Sequence, residues 1–322
     1  MANSNQILSL ITSHVNGDDA RFKEIALQVA STEAKAGHTV LSRSITDALK
    51  KTPTVRFVPK TMSSFNAEFT DLFSEVEPPF RIQDLISTDD IYQKINRVLS
   101  EYARRELLSK NGLDNRSKLL LTGPSGTGKT MTASIIANEL HLPLYVVRLE
   151  RIITKYMGET SLKLSRVFDL ISTVRGVYLF DEFDAIGTQR GNDNEVGEMR
   201  RILNTFLQLL ERNNSDSIII AATNCPTSLD KALFRRFDDI LEYADPTQQQ
   251  REKLVKKLFA SANTEAFNYT SAAKALDGYS HALITAVCRD AIKESILTDK
   301  PITNNMFHFA VNQSSHLFQQ SI

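Results

Sequence analysis

The stretch Gly123-Pro124-Ser125-Gly126-Thr127-Gly128-Lys129-Thr130 constrains this chain more than any other. The apolar run Leu119-Leu120-Leu121 before it reads as a short buried strand, and Met131 to Leu140 after it reads as a helix. Strand, glycine loop, helix is the order a phosphate-binding loop needs. Glycine lets the backbone curl until successive N–H groups face one anion, and the helix N-terminus adds its partial positive charge. Lys129 then reaches the β- and γ-phosphates of a nucleoside triphosphate, and the Thr130 hydroxyl sits on Mg²⁺. A flexible glycine turn would need neither the strand nor the helix at its ends.

The bulk composition narrows the setting. At 322 residues there is room for two or three domains and a sizeable core. Formal net charge is zero, so no global field favours nucleic acid or anionic lipid, and neither is an expected partner. The two cysteines, Cys225 and Cys288, form no C-x-x-C pair; they fit a reducing compartment and give no disulfide framework or structural zinc site. No apolar run reaches membrane-spanning length, and the first apolar stretch is interrupted by Ser9, Thr12 and His14, unlike a signal peptide. A cytoplasmic protein is expected.

Taken in order, residues 1–60 read as an N-terminal helical bundle. Ile7, Leu8, Leu10, Ile11 and Val15 recur at helical spacing, as do Phe22, Ile25, Ala26, Val29 and Ala30, and a third helix is expected from about Val40 to Lys50. Asp18 and Asp19 suit the start of the second helix, and Gly37 suits the position after its end. The bundle is either a self-contained packing unit or, as expected here, an adaptor that docks a partner or substrate. From about residue 51 the composition shifts to prolines, charges and scattered phenylalanines, and 61–80 is read as a linker. Residues 81–245 then alternate helices with short apolar strands at 144–149, 177–180, 218–222 and 240–243, and 246–322 is helical throughout, with Pro301 opening the last helix. Short apolar strands between helices mean a parallel sheet covered on both faces. The expected fold is thus α/β, a P-loop NTPase sheet with a C-terminal helical lid and a small N-terminal helical bundle.

A second element agrees with the first. Val177-Tyr178-Leu179-Phe180-Asp181-Glu182 is an apolar strand ending in two acids. A strand end puts its side chains at the carboxyl edge of the sheet, beside the phosphate loop. Asp181 is expected to hold Mg²⁺ through water, and Glu182 to orient and polarise the attacking water. Acids after a strand are common; paired with the upstream loop, they gain a catalytic reading.

With these residues in hand the chain resembles the AAA+ ATPases, in the branch of hexameric protein remodelers, over about Arg81 to Asp299. Lys155-Tyr156-Met157-Gly158 resembles the first pore loop, which grips a threaded polypeptide. Ala221-Ala222-Thr223-Asn224 resembles sensor 1, whose asparagine contacts the γ-phosphate and the water. The run from Leu229 to Asp238 resembles the region that carries arginine fingers, here Arg235 and Arg236, with the principal finger left open. Gly278-Tyr279-Ser280-His281-Ala282 resembles the lid turn against adenosine, with His281 where a glycine is usual, and Leu85 and Ile86 occupy the place whose backbone meets adenine.

Each likeness has a chemical basis. An amide at Asn224 both donates and accepts, paired guanidinium groups are permanently charged, and a rigid amphipathic tyrosine suits contact with a moving chain. The resemblance implies ATP and Mg²⁺ as cofactors and a homo-oligomeric ring, a hexamer, with a protein substrate in its central pore. It also implies catalytic roles for Lys129, Asp181, Glu182, Asn224, Arg235 and Arg236. The bundle would dock a separate partner or a protease, since no H-E-x-x-H motif is present. Two other classes stay in view: a nucleic-acid initiator or loader ATPase, and an assembly scaffold or switch that threads nothing.

Overall fold

The computed structural model describes residues 19–35, 70–153, 157–184, 193–228 and 231–319, together with Ser9, His38 and Ser42. The chain divides into two units, Met1–Val58 and Pro59–Ile322.

In the first unit the described element is helix α1 (Asp19–Lys35). Ala26, Val29 and Ala30 are buried, the three-to-four spacing of one helical face. Glu33 continues that face and is buried as well, with its carboxylate 2.6 Å from Nδ1 of His38. The helices expected over residues 7–15 and 40–50 lie outside the described residues, apart from Ser9 and Ser42.

The second unit is built on a six-stranded sheet. Its strands are β1 (Phe73–Val76), β2 (Lys118–Thr122), β3 (Leu144–Val147), β4 (Val177–Phe180), β5 (Ile218–Thr223) and β6 (Asp239–Glu242), in the order β1-β3-β4-β5-β2-β6. All neighbouring pairs are parallel except β1, which runs antiparallel to β3 with Phe73 opposite Val147. Within the stretch read as a linker, Phe73–Val76 is instead this edge strand, and 61–69 lie outside the described residues. Phe73 sits 2% exposed, edge-on to Tyr145 and Tyr178, so the segment joins the sheet before residue 81. Four residues with a Ser-Glu centre are too short and too polar to signal a strand; packing on β3 makes it one.

Alternation along the strands splits the core in two. Leu119 and Leu121 of β2, with Val177 and Leu179 of β4, face helices α2 (Asp89–Ala103) and α4 (Lys129–Glu139); α3 (Arg105–Lys110) follows α2. Leu120, Tyr178 and Phe180 face the other way, onto α6 (Met157–Thr173) and α7 (Asp193–Arg212). The short α5 (Leu149–Ile152) joins β3 to the segment before α6. Burial on both faces is why these strands read as continuous apolar runs.

After β6 the chain builds a separate apolar cluster from α9 (Gln248–Leu258), α10 (Tyr269–Ala275), α11 (His281–Thr298) and α12 (Asn304–Gln319); the short α8 (Lys231–Phe234) precedes β6. Thr247 caps α9 reciprocally with Gln250. Arg251, nearly buried, fixes the lid's entry: it donates to Pro246 O and Ala273 O, each at 2.9 Å, and pairs with Asp277 at 2.8 Å. Pro301 does not open the last helix. Ile302 bridges to Thr264, and α12 starts at Asn304.

Candidate nucleotide site

The parallel order brings β4, β5 and β2 side by side, so the segments leaving their carboxyl ends converge. The loop after β2 has positive φ at Gly123, Gly126 and Gly128, the left-handed region that glycine enters without strain. Two of these glycines are also sterically required. A Cβ on Gly123 would lie 2.1 Å from Tyr243 O, and one on Gly126 would lie 2.7 Å from Ser280 Oγ and 2.9 Å from the Ala282 Cβ. Gly126 O accepts the Ala282 N–H at 3.0 Å, so the lid turn is seated directly on the loop.

Lys129 closes the loop from inside. Its Nζ donates to Gly123 O and Pro124 O, both at 2.7 Å. Burial pushes its pKa below the ordinary lysine value, while the Asp181 and Asp184 carboxylates pull the other way. The Thr130 hydroxyl donates to Asp181 Oδ2 at 2.7 Å, and Asp181 Oδ1 accepts the Glu182 N–H at 2.9 Å. Glu182 takes a left-handed φ of 50°. Phe183 holds that turn, being fully buried with its N–H on Ala222 O at 2.8 Å, so the chain swings Glu182 out of the strand line. At the end of β5, Asp184 Oδ1 accepts from Thr223 Oγ1 and the Asn224 N–H at 3.1 and 3.2 Å. Asp184 was not read from the sequence; its signal is a third acid two positions beyond Glu182.

These groups surround a cavity of about 780 Å³. Ser125 to Met131 line it, and so do Asp181, Glu182 and Asn224. Leu85, Ile86, Ala282 and His281 line it as well, as do four apolar positions with no sequence motif: Pro79, Phe80, Leu254 and Leu258. The segment carrying Leu85 is pinned from several sides. Ile82 N–H donates to Glu139 Oε1 at 3.1 Å, the Tyr92 hydroxyl donates to Leu85 O, and Lys257 Nζ donates to Gln83 O and Asp84 Oδ1 at 2.7 and 3.0 Å. Gly123 and Pro124 contribute through the carbonyls that hold Lys129.

Among the described residues, neither Arg235 nor Arg236 lines this cavity. Both are exposed after α8, and Arg236 pairs with Glu211 of α7. Met157 and Gly158 begin helix α6, and Lys155 and Tyr156 lie outside the described residues.

Residues 119–245 match the model of the AAA family, ATPases associated with various cellular activities. The chain is also 33% identical over 301 residues to the uncharacterized AAA family ATPase y4kL of Sinorhizobium fredii, an alignment covering 92% of this chain and 90% of that protein. This chain belongs to the AAA family of ATPases. It is an ATPase. It is also 30% identical over 274 residues to the meiotic spindle formation protein mei-1 of Caenorhabditis elegans, covering 78% of this chain and 57% of that protein. With the proteasome-activating nucleotidase of Methanoregula boonei it shares 33% over 220 residues, covering 65% of this chain and 50% of the nucleotidase. This AAA chain thus spans only about half the length of several relatives it matches. The solved FIGL-1 AAA domain superposes with a TM-score of 0.61 at 21% identity over 79% of this chain and 91% of that one, a likeness of fold.

The residues fit a magnesium–nucleotide. The loop is a cradle that side chains at Gly123 or Gly126 would fill, and Thr130 with Asp181 supplies the hard oxygen donors that Mg²⁺ takes.

Proposed function

We propose that this ATPase is a ring-forming remodeler that uses ATP turnover to unfold, thread or disassemble a protein. The carrying observation is the split of the machinery. Lys129, Thr130, Asp181, Glu182 and Asn224 meet at one cavity, while Arg235 and Arg236 stand exposed outside it. A guanidinium that stabilises transferring phosphate must reach it, so these arginines serve the cavity of an adjoining copy.

Within one chain, Lys129 gives up its loop carbonyls to bind phosphate oxygens, and the loop N–H groups share the load. Glu182 accepts a proton from the attacking water as that water adds to the γ-phosphorus and the bond from the γ-phosphorus to the β–γ bridging oxygen breaks, so that ADP leaves and phosphate is formed; Asn224 orients the water. Thr130 and Asp181 would hold Mg²⁺, which supplies charge neutralisation across the phosphates. Among the described residues Arg236 pairs with Glu211 and Arg235 with no carboxylate, which favours Arg235 as the principal finger. Ala282 and the segment at Leu85 and Ile86 enclose the nucleoside.

The protein-remodeling part rests on relatives named as a proteasome-activating nucleotidase and as nuclear valosin-containing protein-like, and on the aromatic step Lys155-Tyr156-Met157-Gly158. In this reading a hexamer lines its pore with Tyr156 and works in the cytoplasm, and residues 1–60 recruit the client or a separate protease. The test is Tyr156→Ala. ATP turnover persists and client processing is lost; if processing survives, the chain does not thread.

A further inference from the structure

Three cations line the nucleotide cavity among the described residues: Lys129, Lys257 and Arg289. Two are committed. Lys129 is held by the phosphate loop's own carbonyls, and Lys257 by Gln83 O and Asp84. Arg289 has neither a hydrogen bond nor an ion pair with the described residues. The acid next to it, Asp290, is taken by Lys293 at 3.0 Å. A guanidinium presents five donors and a flat cationic face. One left uncommitted on the wall of a ligand cavity is matched to the ligand.

Its place in the fold says which part of the ligand. His281, Thr285 and Arg289 recur every fourth residue on α11, and all three line the cavity, so this face of the helix is one of its walls. The N-terminal end of that wall is fixed at the phosphate loop by the Ala282 N–H on Gly126 O. Arg289 stands seven residues further on, roughly 10 Å along the axis at the helical rise. Arg289 thus lines the cavity further from the phosphate loop than Ala282, on the side whose walls enclose the nucleoside. The remaining walls agree: Leu85, Ile86, Leu254 and Leu258 are apolar, and Phe80, 40% exposed, offers an aromatic face in the same cavity. Apolar walls with a flat cation suit a planar purine.

We propose that Arg289 is a positioning residue for the nucleotide, laying its guanidinium over the base and holding the nucleoside end against the lid. The proposal rests on the nucleotide site described above. Arg289 lies beyond the phosphate-site motifs and takes no part in the proton transfer; it sets affinity rather than the chemical step.

The test measures binding and turnover on the full chain carrying Arg289→Ala or Arg289→Lys, with Lys129→Ala as the control for the site itself. Arg289→Ala raises the Kd for ADP and the KM for ATP about fivefold to tenfold, the scale of a partly desolvated cation–π contact, and leaves kcat at saturation within about twofold. Arg289→Lys fails to restore the affinity, since an ammonium lacks the flat face. Inorganic tripolyphosphate, which has no base, binds wild type and Arg289→Ala equally. An unchanged ADP affinity overturns the proposal, and so does an equal loss with tripolyphosphate, which would make Arg289 a phosphate ligand. If Lys129→Ala also leaves nucleotide binding intact, the cavity itself is misassigned, an outcome separate from either.

Discussion

The Thr130 hydroxyl donates to Asp181 Oδ2 at 2.7 Å, tying the first turn of α4 to the end of β4 across 51 positions of sequence. Two strands apart in the chain, the two oxygens would form one donor set for the proposed Mg²⁺. Thr130→Ala and Asp181→Asn each raise the Mg²⁺ concentration that half-activates ATP turnover, by about tenfold. Because the two share one task, the double variant is little worse than the poorer single one. A Mg²⁺ titration of turnover checks both points, and simple additivity would place the residues in different roles.

Glu182 is presented by a turn rather than by the strand itself, with Phe183 buried beneath it. Glu182→Gln keeps the shape and removes the carboxylate proposed to accept the water's proton. It binds ATP and lowers hydrolysis by at least about 100-fold. Retention of substantial turnover, measured as phosphate release, would remove Glu182 from the chemistry.

The sequence made the phosphate side of this site legible because those residues are contiguous and each must be of one chemical type. Gly123 to Thr130 and Asp181-Glu182 could be read directly, and the structure brings them to one cavity. The nucleoside side was far less legible. Leu254, Leu258, Phe80 and Arg289 come from three distant segments and are of types that also serve ordinary cores and surfaces; the seating of the lid turn on Gly126 and the hold of Lys257 on Gln83 and Asp84 bring them to one cavity. Strand β1 was missed for a related reason. Phe73-Ser74-Glu75-Val76 has no intrinsic pattern strong enough to mark an edge strand, and its pairing with β3 is tertiary.

Gly126 sits where loop and lid touch, so a methyl group there acts on both. Gly126→Ala drives a Cβ to within 2.7 Å of Ser280 Oγ at a φ of 74° that alanine resists. The loop and the lid turn are forced apart. Nucleotide affinity drops by at least about tenfold, while the melting temperature without nucleotide falls by no more than a few degrees, since the strand cores are untouched. Calorimetric titration with ADP alongside a thermal melt checks this, and unchanged affinity would mean that the lid turn does not close on the nucleotide.

His281 carries a pH signature. Burial holds its imidazole below the ordinary 6.5, against the opposing pull of the Asp245 carboxylate and the Ile86 backbone. Below about pH 6.5 the unfolded chain therefore binds a proton there more readily than the folded one, and stability falls as pH drops through that value. His281→Phe removes this contribution. The loss of melting temperature between about pH 7.5 and about pH 5.5 becomes smaller in the variant than in wild type. An identical loss in both would mean that the ring is protonated freely in the fold.

Shared catalysis between copies is tested most directly by mixing two inactive variants. Glu182→Gln keeps its arginines but cannot activate water; Arg235→Ala keeps its glutamate but lends no finger. Wherever a Glu182→Gln copy offers Arg235 to the cavity of an Arg235→Ala copy, a complete site forms. Phosphate release from mixtures of the two should therefore rise above that of either variant alone, peaking near equal proportions. Mixtures that stay at the level of the separate variants at every ratio would contradict a site divided between neighbouring copies.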